Sequence, residues 1–167
     1  MIATGMHQLS FVGSVSAVRF SPDERLLYAG VGPELRVYRV SDGQLLEARH
    51  VVAAGSRVHG IEFQSCQFGW EVGVYGQKSV SALRCTHGAV GREDGVTHVE
   101  SANFPQMQDW IMGFCFAPVD GAAANCQLVL IGSAHNRVDV WQYAQDQVCR
   151  SLTTTFVHAV TSHADLP

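Results

Sequence analysis

One pattern of short strands occurs three times along this chain, and it limits the possible folds. In the first copy an alternating apolar segment spans residues 15–20, and a segment rich in small residues follows at 26–30. A tight turn at Gly32 and Pro33 then leads into a third segment, 35–38, which ends in an aromatic residue. A self-similar unit of short strands that repeats every ~40–50 residues is typical of β-propeller blades. We therefore predict an all-β chain, a β-propeller of the WD-repeat type.

The three copies can be aligned on the residues that end their first and third strands. We expect these residues to occupy equivalent positions, and most of them to be buried between neighbouring sheets, where each such side chain contributes about 1.5–3 kcal/mol. They are Phe20, Phe63 and Phe116 in the first strands and Tyr38, Leu83 and Trp141 in the third strands.

The units are expected to be four-stranded antiparallel blades at about residues 13–52, 55–104 and 109–152. Residues 153–167 would lead into a further blade, and residues 8–12 would form a short leading strand. Propellers close a ring of typically 4–8 blades, so about three blades make an incomplete ring. We therefore expect the chain to be the N-terminal piece of a longer protein, with a truncated gene product as the alternative.

Two segments interrupt the expected strands. Residues 86–95 and 120–125 are rich in glycine or alanine, and we predict that both are loops. An incomplete ring also leaves two open flanks. Residues such as Val37 and Val140 are expected to face water there, and the isolated chain is expected to self-associate.

Composition indicates a globular protein without a strongly basic surface. The chain has 167 residues, of which 47% are hydrophobic and 16% charged, with a formal net charge of −4. Lys78 is its single lysine. A basic footprint spread over the whole domain is excluded, whereas a local patch assembled from separate blades is compatible with this charge.

The sequence contains no recognisable catalytic or metal motif. The five cysteines are scattered without a C-x-x-C pair, and the eight histidines form no H-E-x-x-H motif. We expect free thiols, no metal, no cofactor, no catalytic residue and no small-molecule substrate. No secretory signal and no spanning apolar segment is apparent, so the expected location is the cytoplasm without membrane contact.

The turns before the third strands carry the first candidate binding residues. Turns of this kind line up on one face of a propeller, so Lys78 and Arg137 are expected to lie near each other. His135 and Asn136 belong to the same turn as Arg137. A phosphate or protein contact is one interpretation of these side chains, and solvated turn residues are the alternative.

Two further candidates lie where the second and third units begin. His59 is placed within a first strand, where it binds either a partner or its neighbouring blade. Trp110 precedes the third unit, and it either packs between blades or forms an exposed binding aromatic.

Five segments, taken in order, resemble one WD-repeat family. A G-x-G-P turn between two strands occupies residues 29–38, and an apolar-His-Gly-apolar segment occupies 58–61. A V-x-x-Y-G-x-K segment follows at 72–78, D-W-I at 109–111, and G-x-x-H-N before an apolar strand at 132–138. The chain is similar here to the WD-repeat subunit that partners the tRNA wobble-position ribose 2′-O-methyltransferase.

The resemblance implies a non-catalytic subunit. The partner enzyme would carry the methyl-donor chemistry, and this chain would bind that enzyme, and tRNA with it, so that the wobble ribose is positioned. A generic β-propeller module for protein–protein interaction, without a role in RNA, is the alternative. An enzyme built on a propeller is a third hypothesis, and it would need polar residues that converge on a central channel.

Overall fold

Twelve strands make up the chain where the computed structural model describes it, at residues 13–66, 69–87, 96–117, 126–144 and 147–155. The predicted strand at 8–12, the loop at 120–125 and most of the loop at 86–95 and of the tail lie outside these residues. The strands are β1 (Val15–Phe20), β2 (Leu26–Val31), β3 (Glu34–Arg39), β4 (Leu45–His50), β5 (Gly60–Cys66), β6 (Gly69–Gly76), β7 (Ser79–His87), β8 (Val96–Asn103), β9 (Ile111–Ala117), β10 (Cys126–Ser133), β11 (Arg137–Ala144) and β12 (Gln147–Thr155).

Consecutive strands pair into three four-stranded antiparallel sheets, β1–β4, β5–β8 and β9–β12. We call them the first, second and third sheet. The turns between their second and third strands use residues that tolerate positive φ, with Gly32 at 57°, Gln77 at 48° and Asn136 at 57°. The all-β prediction is confirmed, and none of the described elements is a helix long and apolar enough to span a membrane.

The strand register confirms the equivalence of the aligned residues. In every sheet the end of the first strand pairs with a residue of the second strand, and that residue pairs with the end of the third strand. The three rows are Phe20–Leu27–Tyr38, Phe63–Val72–Leu83 and Phe116–Val129–Trp141.

The rows of the second and third sheets face the sheet that precedes each of them. The ring of Phe63 packs edge-on against Tyr28 of the first sheet, with centroids 5.0 Å apart. The ring of Trp141 packs edge-on against Phe104, which follows β8 of the second sheet, at 6.2 Å. Two apolar clusters result, one between the first and second sheets and one between the second and third.

The expectation that most residues of these rows are buried is wrong. Leu83 is buried, whereas Phe20 is 57% exposed and the other four are partly exposed. The row of the first sheet points away from the second sheet, toward a side on which no described strand packs. Val37 was expected to face water, yet it is 2% exposed because alternate residues of β3 face the second sheet. Val140 is partly buried.

A glycine allows the second and third sheets to approach closely. A Cβ atom at Gly73 of β6 would collide with the ring of Phe114 of β9. The same phenyl ring stacks on Tyr75, with centroids 6.2 Å apart. The absence of a side chain at Gly73 therefore creates the space in which the third sheet packs the ring of Phe114.

A buried polar network joins the first sheet to the second. The Tyr28 hydroxyl of β2 lies 2.7 Å from His98 Nε2 of β8 and accepts a 3.1 Å hydrogen bond from Trp70 Nε1 of β6. The other ring nitrogen of His98, Nδ1, lies 2.6 Å from a carboxylate oxygen of Glu47 of β4. Because an ionised carboxylate only accepts hydrogen bonds, Nδ1 carries a proton in this arrangement.

Burial and pairing shift the pKa values in this network. Burial raises the pKa of the Cys85 thiol, which lies 3.7 Å from the Tyr28 hydroxyl, to about 11. Burial also raises the pKa of Tyr28. The hydrogen bond from His98 lowers the pKa of Glu47, with Arg49 adding a smaller effect in the same direction. Glu47 is therefore ionised between the sheets at neutral pH.

Stability should fall in acid through Glu47. Because the pKa of Glu47 is lower in the folded state, its ionised form stabilises the fold. This stabilisation is complete above the unfolded-state pKa of about 4.3, and it is lost as the pH falls through the pKa of the folded state. Glu47→Gln should cost about 1–2 kcal/mol at neutral pH, since a charged hydrogen bond becomes a neutral one. The same variant should flatten the acid limb of the unfolding free energy measured by urea titration from pH 3 to 7. An unchanged acid limb would contradict this role.

The exposed face of the first sheet should make the isolated chain self-associate. Val18 and Phe20 are 52% and 57% exposed on one sheet face, and Leu45 adds to them at 45%. Light scattering should give a molar mass above that of one chain. The variant Phe20→Lys should lower the measured mass toward that of a single chain. Val40→Lys is the control, because this turn valine is similarly exposed at 46%. A stable monomer for the unaltered chain would refute the prediction.

Candidate partner-binding site

All three turns that precede a third strand lie at the same end of the sheets, together with the segments that cross from sheet to sheet. We call this surface the hairpin end. Val58 N donates to Gly32 O at 2.8 Å, which attaches the first crossing segment to the first turn. Met107 N donates to Lys78 O at 2.8 Å, and Ala134 N donates to Trp110 O at 3.0 Å. The second crossing segment therefore lies between the second and third turns.

Gln108 of this crossing segment brings Lys78 and Arg137 to one place. The Lys78 ammonium donates to the backbone oxygen of Gln108 at 2.8 Å, and Arg137 NH1 donates to its side-chain oxygen at 3.0 Å. Arg137 also pairs with the buried Asp139 through Nε at 2.8 Å. The expected proximity of the two cations is confirmed. The acceptor for Lys78 is a neutral backbone oxygen and not a carboxylate.

His135 and Asn136 form the exposed part of the third turn. His135 Nδ1 lies 2.6 Å from Asp109 Oδ2, and its backbone N–H donates to the same oxygen at 3.1 Å. The contact with His135, together with the N–H of Trp110, lowers the pKa of Asp109. Asn136 has a positive φ, which an asparagine tolerates better than most residues. The position of Asn136 is thus explained by the turn itself.

His59 and Trp110 lie side by side at the junction of the second and third sheets. Their ring centroids are 6.2 Å apart, with an angle of 33° between the planes. β5 begins at Gly60, so His59 precedes the first strand rather than lying within it. Its backbone N–H donates to Tyr75 O and its Nδ1 accepts from Gln77 N at 3.5 Å, both within its own sheet. Trp110 is 49% exposed, so packing between blades is excluded for it.

The sequence did not point to Gln108 or Arg57 as parts of this surface, and it pointed to Asp109 only as the first residue of the D-W-I segment. Arg57 is exposed and lies two residues before His59. Its backbone oxygen covers Gly76, where a Cβ atom would collide with it. A signal for Asp109 did exist, because common WD repeats pair an aspartate with a histidine near this turn. The contacts of Gln108 depend on side-chain placement and left no pattern in the sequence.

An open groove of about 440 Å³ continues the hairpin end beside the first turn. Arg57 lines it on one side, and the pair of Arg36 with Glu34, 2.9 Å apart, lines the other. Ser56 at the rim donates to the side-chain oxygen of Gln77 at 3.0 Å. The groove is therefore connected by hydrogen bonds to the turn that carries Lys78.

Metal-binding chemistry has no support at the described positions. Within the described ranges no three histidine, cysteine, aspartate or glutamate side chains cluster tightly enough to hold an ion. Cys66, Cys85 and Cys115 are free thiols. The hairpin end thus offers cations, an exposed indole and one Asp–His pair.

Comparison with solved structures decides the fold. The chain superposes on the β-propeller domain of Myceliophteria thermophila Cps50 (Swd1) with a TM-score of 0.54 and 12% sequence identity. The match covers 83% of this chain and 40% of that domain. The fold is a WD-repeat-like β-propeller. The three sheets are three of its blades, and the likeness extends to the fold alone because the identity is low.

A curated protein is similar in sequence to part of the chain. The chain is 37% identical over 99 residues to a 6-phosphogluconolactonase of Cronobacter sakazakii, across 54% of this chain. It spans only 29% of that protein's length. No protein-family model matches the chain.

Proposed function

We propose that this chain is a non-catalytic scaffold that binds a tRNA 2′-O-ribose methyltransferase and positions tRNA for methylation of the wobble nucleotide. Its propeller fold is one that commonly serves as an interaction scaffold. We further propose the cytoplasm as the location, with neither a membrane contact nor a small-molecule substrate.

One observation carries the proposal. The five segments that resemble the tRNA-modification family, at 29–38, 58–61, 72–78, 109–111 and 132–138, meet at the hairpin end. Three of them form the turns, and the other two are the ends of the crossing segments where they enter β5 and β9. Segments that are distant in the sequence thus form one surface.

The side chains of this surface suit a phosphate-bearing partner. Lys78 and Arg57 supply two cations, and neither is matched by a carboxylate in the contacts described above. Asp109 is occupied by His135, and Asp139 by Arg137. A net positive surface on an acidic chain attracts nucleic acid locally without making the whole protein basic. Backbone hydrogen bonds hold the three turns in fixed relation, so a bound RNA would be oriented as well as bound.

Deletion of the gene should remove 2′-O-methylation at the wobble nucleotide of tRNA and leave methylation at other positions in place. Loss of a positioning subunit removes the productive geometry for one ribose without affecting unrelated enzymes. Mass spectrometry of digested tRNA measures both. If wobble methylation persists, a generic protein-interaction module takes the place of this proposal.

At the level of residues, Lys78→Ala combined with Arg137→Ala should weaken binding of the methyltransferase or of tRNA. Removal of two positive charges from the hairpin end should also reduce the salt dependence of tRNA binding, so that the slope of log K against log salt falls by about 1–2. Arg25→Ala is the matched control, because Arg25 is exposed in the β1–β2 turn at the opposite end. Equal affinities for the double variant and the control would identify both residues as ordinary solvated turn residues.

The partial relative favours a second candidate function, hydrolysis of a phosphorylated sugar lactone. The Asp109–His135 pair supports it chemically. The carboxylate of Asp109 binds Nδ1 of His135, so Nε2 is free to accept a proton from water, and the imidazole is 87% exposed. Lys78 and Arg137 lie nearby and could bind the phosphate of the substrate.

Hydrolysis of 6-phosphogluconolactone above the spontaneous rate, lost in His135→Ala, would establish this second candidate. A rate equal to that of buffer, together with binding of tRNA, would favour the scaffold.

A further inference from the structure

We propose that Trp110 is a stacking platform for an unpaired base of single-stranded RNA, and that Lys78 and Arg57 bind the phosphates on either side of that base. The proposal rests on the proposed role in tRNA binding and adds which part of an RNA the hairpin end recognises. It concerns nucleotides that are not base-paired, such as those of a loop.

The exposure of Trp110 is the first observation. Trp70 is 3% exposed and Trp141 is partly buried in the core, whereas Trp110 is 49% exposed. An indole left in water at the junction of two sheets exposes apolar area that a ligand can cover. Base faces are suitable covers, since every base presents a π surface to an aromatic side chain.

The backbone of Trp110 is held by two hydrogen bonds. The Trp110 backbone N–H donates to Asp109 Oδ1 at 2.7 Å, and its carbonyl accepts from the backbone N–H of Ala134. Ile111, the next residue, is 2% exposed in the core, which anchors the start of β9. The imidazole of His59 lies beside the indole at the 6.2 Å given above. The backbone that carries the indole therefore loses little conformational freedom when a base stacks on Trp110.

Two cations belong to the segments that surround this pair of rings. Lys78 reaches Gln108, two residues before Trp110, and Arg57 lies two residues before His59. The backbone oxygen of Arg57 lies against Gly76, in the turn that carries Lys78. Cations near an aromatic platform suit single-strand binding, since the phosphates of the strand continue on both sides of a stacked base.

The backbone of the hairpin end disfavours a peptide as the occupant. An extended peptide binds chiefly through main-chain hydrogen bonds to free N–H and C=O groups. The carbonyls of Gly32, Gln77 and Lys78 each accept a backbone hydrogen bond already, as does that of Trp110. A base needs only the face of a ring, and a phosphate needs only a cation, so neither depends on these occupied groups.

A duplex is disfavoured for a different reason. Paired bases are stacked on their neighbours and present only edges in the grooves, so an exposed indole cannot reach a base face. The surface should therefore prefer single strands to duplexes of equal length and charge. Phosphate contact without stacking would give the opposite order, because a duplex has the higher charge density.

The experiment uses the whole chain, a fluorescent eight-nucleotide oligoadenylate and a duplex of the same length. Anisotropy titrations at low salt should show tighter binding of the single strand, and binding should quench the tryptophan fluorescence of the protein. Trp110→Leu should weaken single-strand binding at least about five-fold, whereas Trp110→Phe should retain most of it. Met112→Ala is the matched control, since Met112 is 69% exposed two residues away, and it should leave the affinity unchanged.

Salt dependence tests the two cations. Lys78→Ala and Arg57→Ala should each reduce the salt slope of oligoadenylate binding by about 0.7, the value for one single-strand phosphate. Circular dichroism of each variant, unchanged from that of the parent chain, verifies that the effects are local. Slopes equal to that of the parent would overturn the phosphate assignment.

Full-length tRNA separates this inference from the proposed function. Suppose that tRNA binds to the parent chain, and that Trp110→Leu binds both tRNA and the oligoadenylate with the same affinity as the parent. The stacking platform is then refuted, while the scaffold role stands. If neither tRNA nor the oligoadenylate binds, both are refuted. Equal or tighter binding of the duplex, or binding of an acidic peptide with the same dependence on Trp110, would also overturn the platform.

Discussion

The second and third sheets each pack the row formed by the ends of their first and third strands on the sheet before them, and the rest of the molecule depends on this one-directional packing. Phe63 and Val72 of the second sheet meet Tyr28 of the first, and Phe114 and Trp141 of the third meet the second sheet. The packing fixes the order of the blades and places the three turns between second and third strands at the same end. A surface for partners therefore follows from the way the core is built.

The two junctions achieve this packing by different means. The first uses a buried hydrogen-bond network in which the Tyr28 hydroxyl is shared by His98 and Trp70, with Glu47 holding the far side of the imidazole. The second uses shape, with Phe114 seated over Gly73. A network of this kind is stabilising only when each member is satisfied, so it specifies its partner sheet more strictly than apolar contact does.

Much of the fold was predictable because alternation and turn chemistry are local properties of a sequence. The rows ending at Tyr38, Leu83 and Trp141 followed from three aligned patterns, and so did the proximity of Lys78 and Arg137. Burial was less predictable, because it depends on which neighbour covers a face: Phe20 has the pattern of Phe63, but none of the described sheets covers it. The role of Gln108 was hidden for a similar reason, since its contacts come from tertiary structure.

The uniqueness of Lys78 has a practical consequence. Because the sequence contains no other lysine side chain, a reagent that acylates ε-amines reacts at one site along the chain, and that site is the hairpin end. A partner that covers this end would protect the amine from acylation. A cross-linker attached to it would join the chain to its neighbour through one known residue. Lys78 is thus a selective reaction site on the surface at which a partner is proposed to bind.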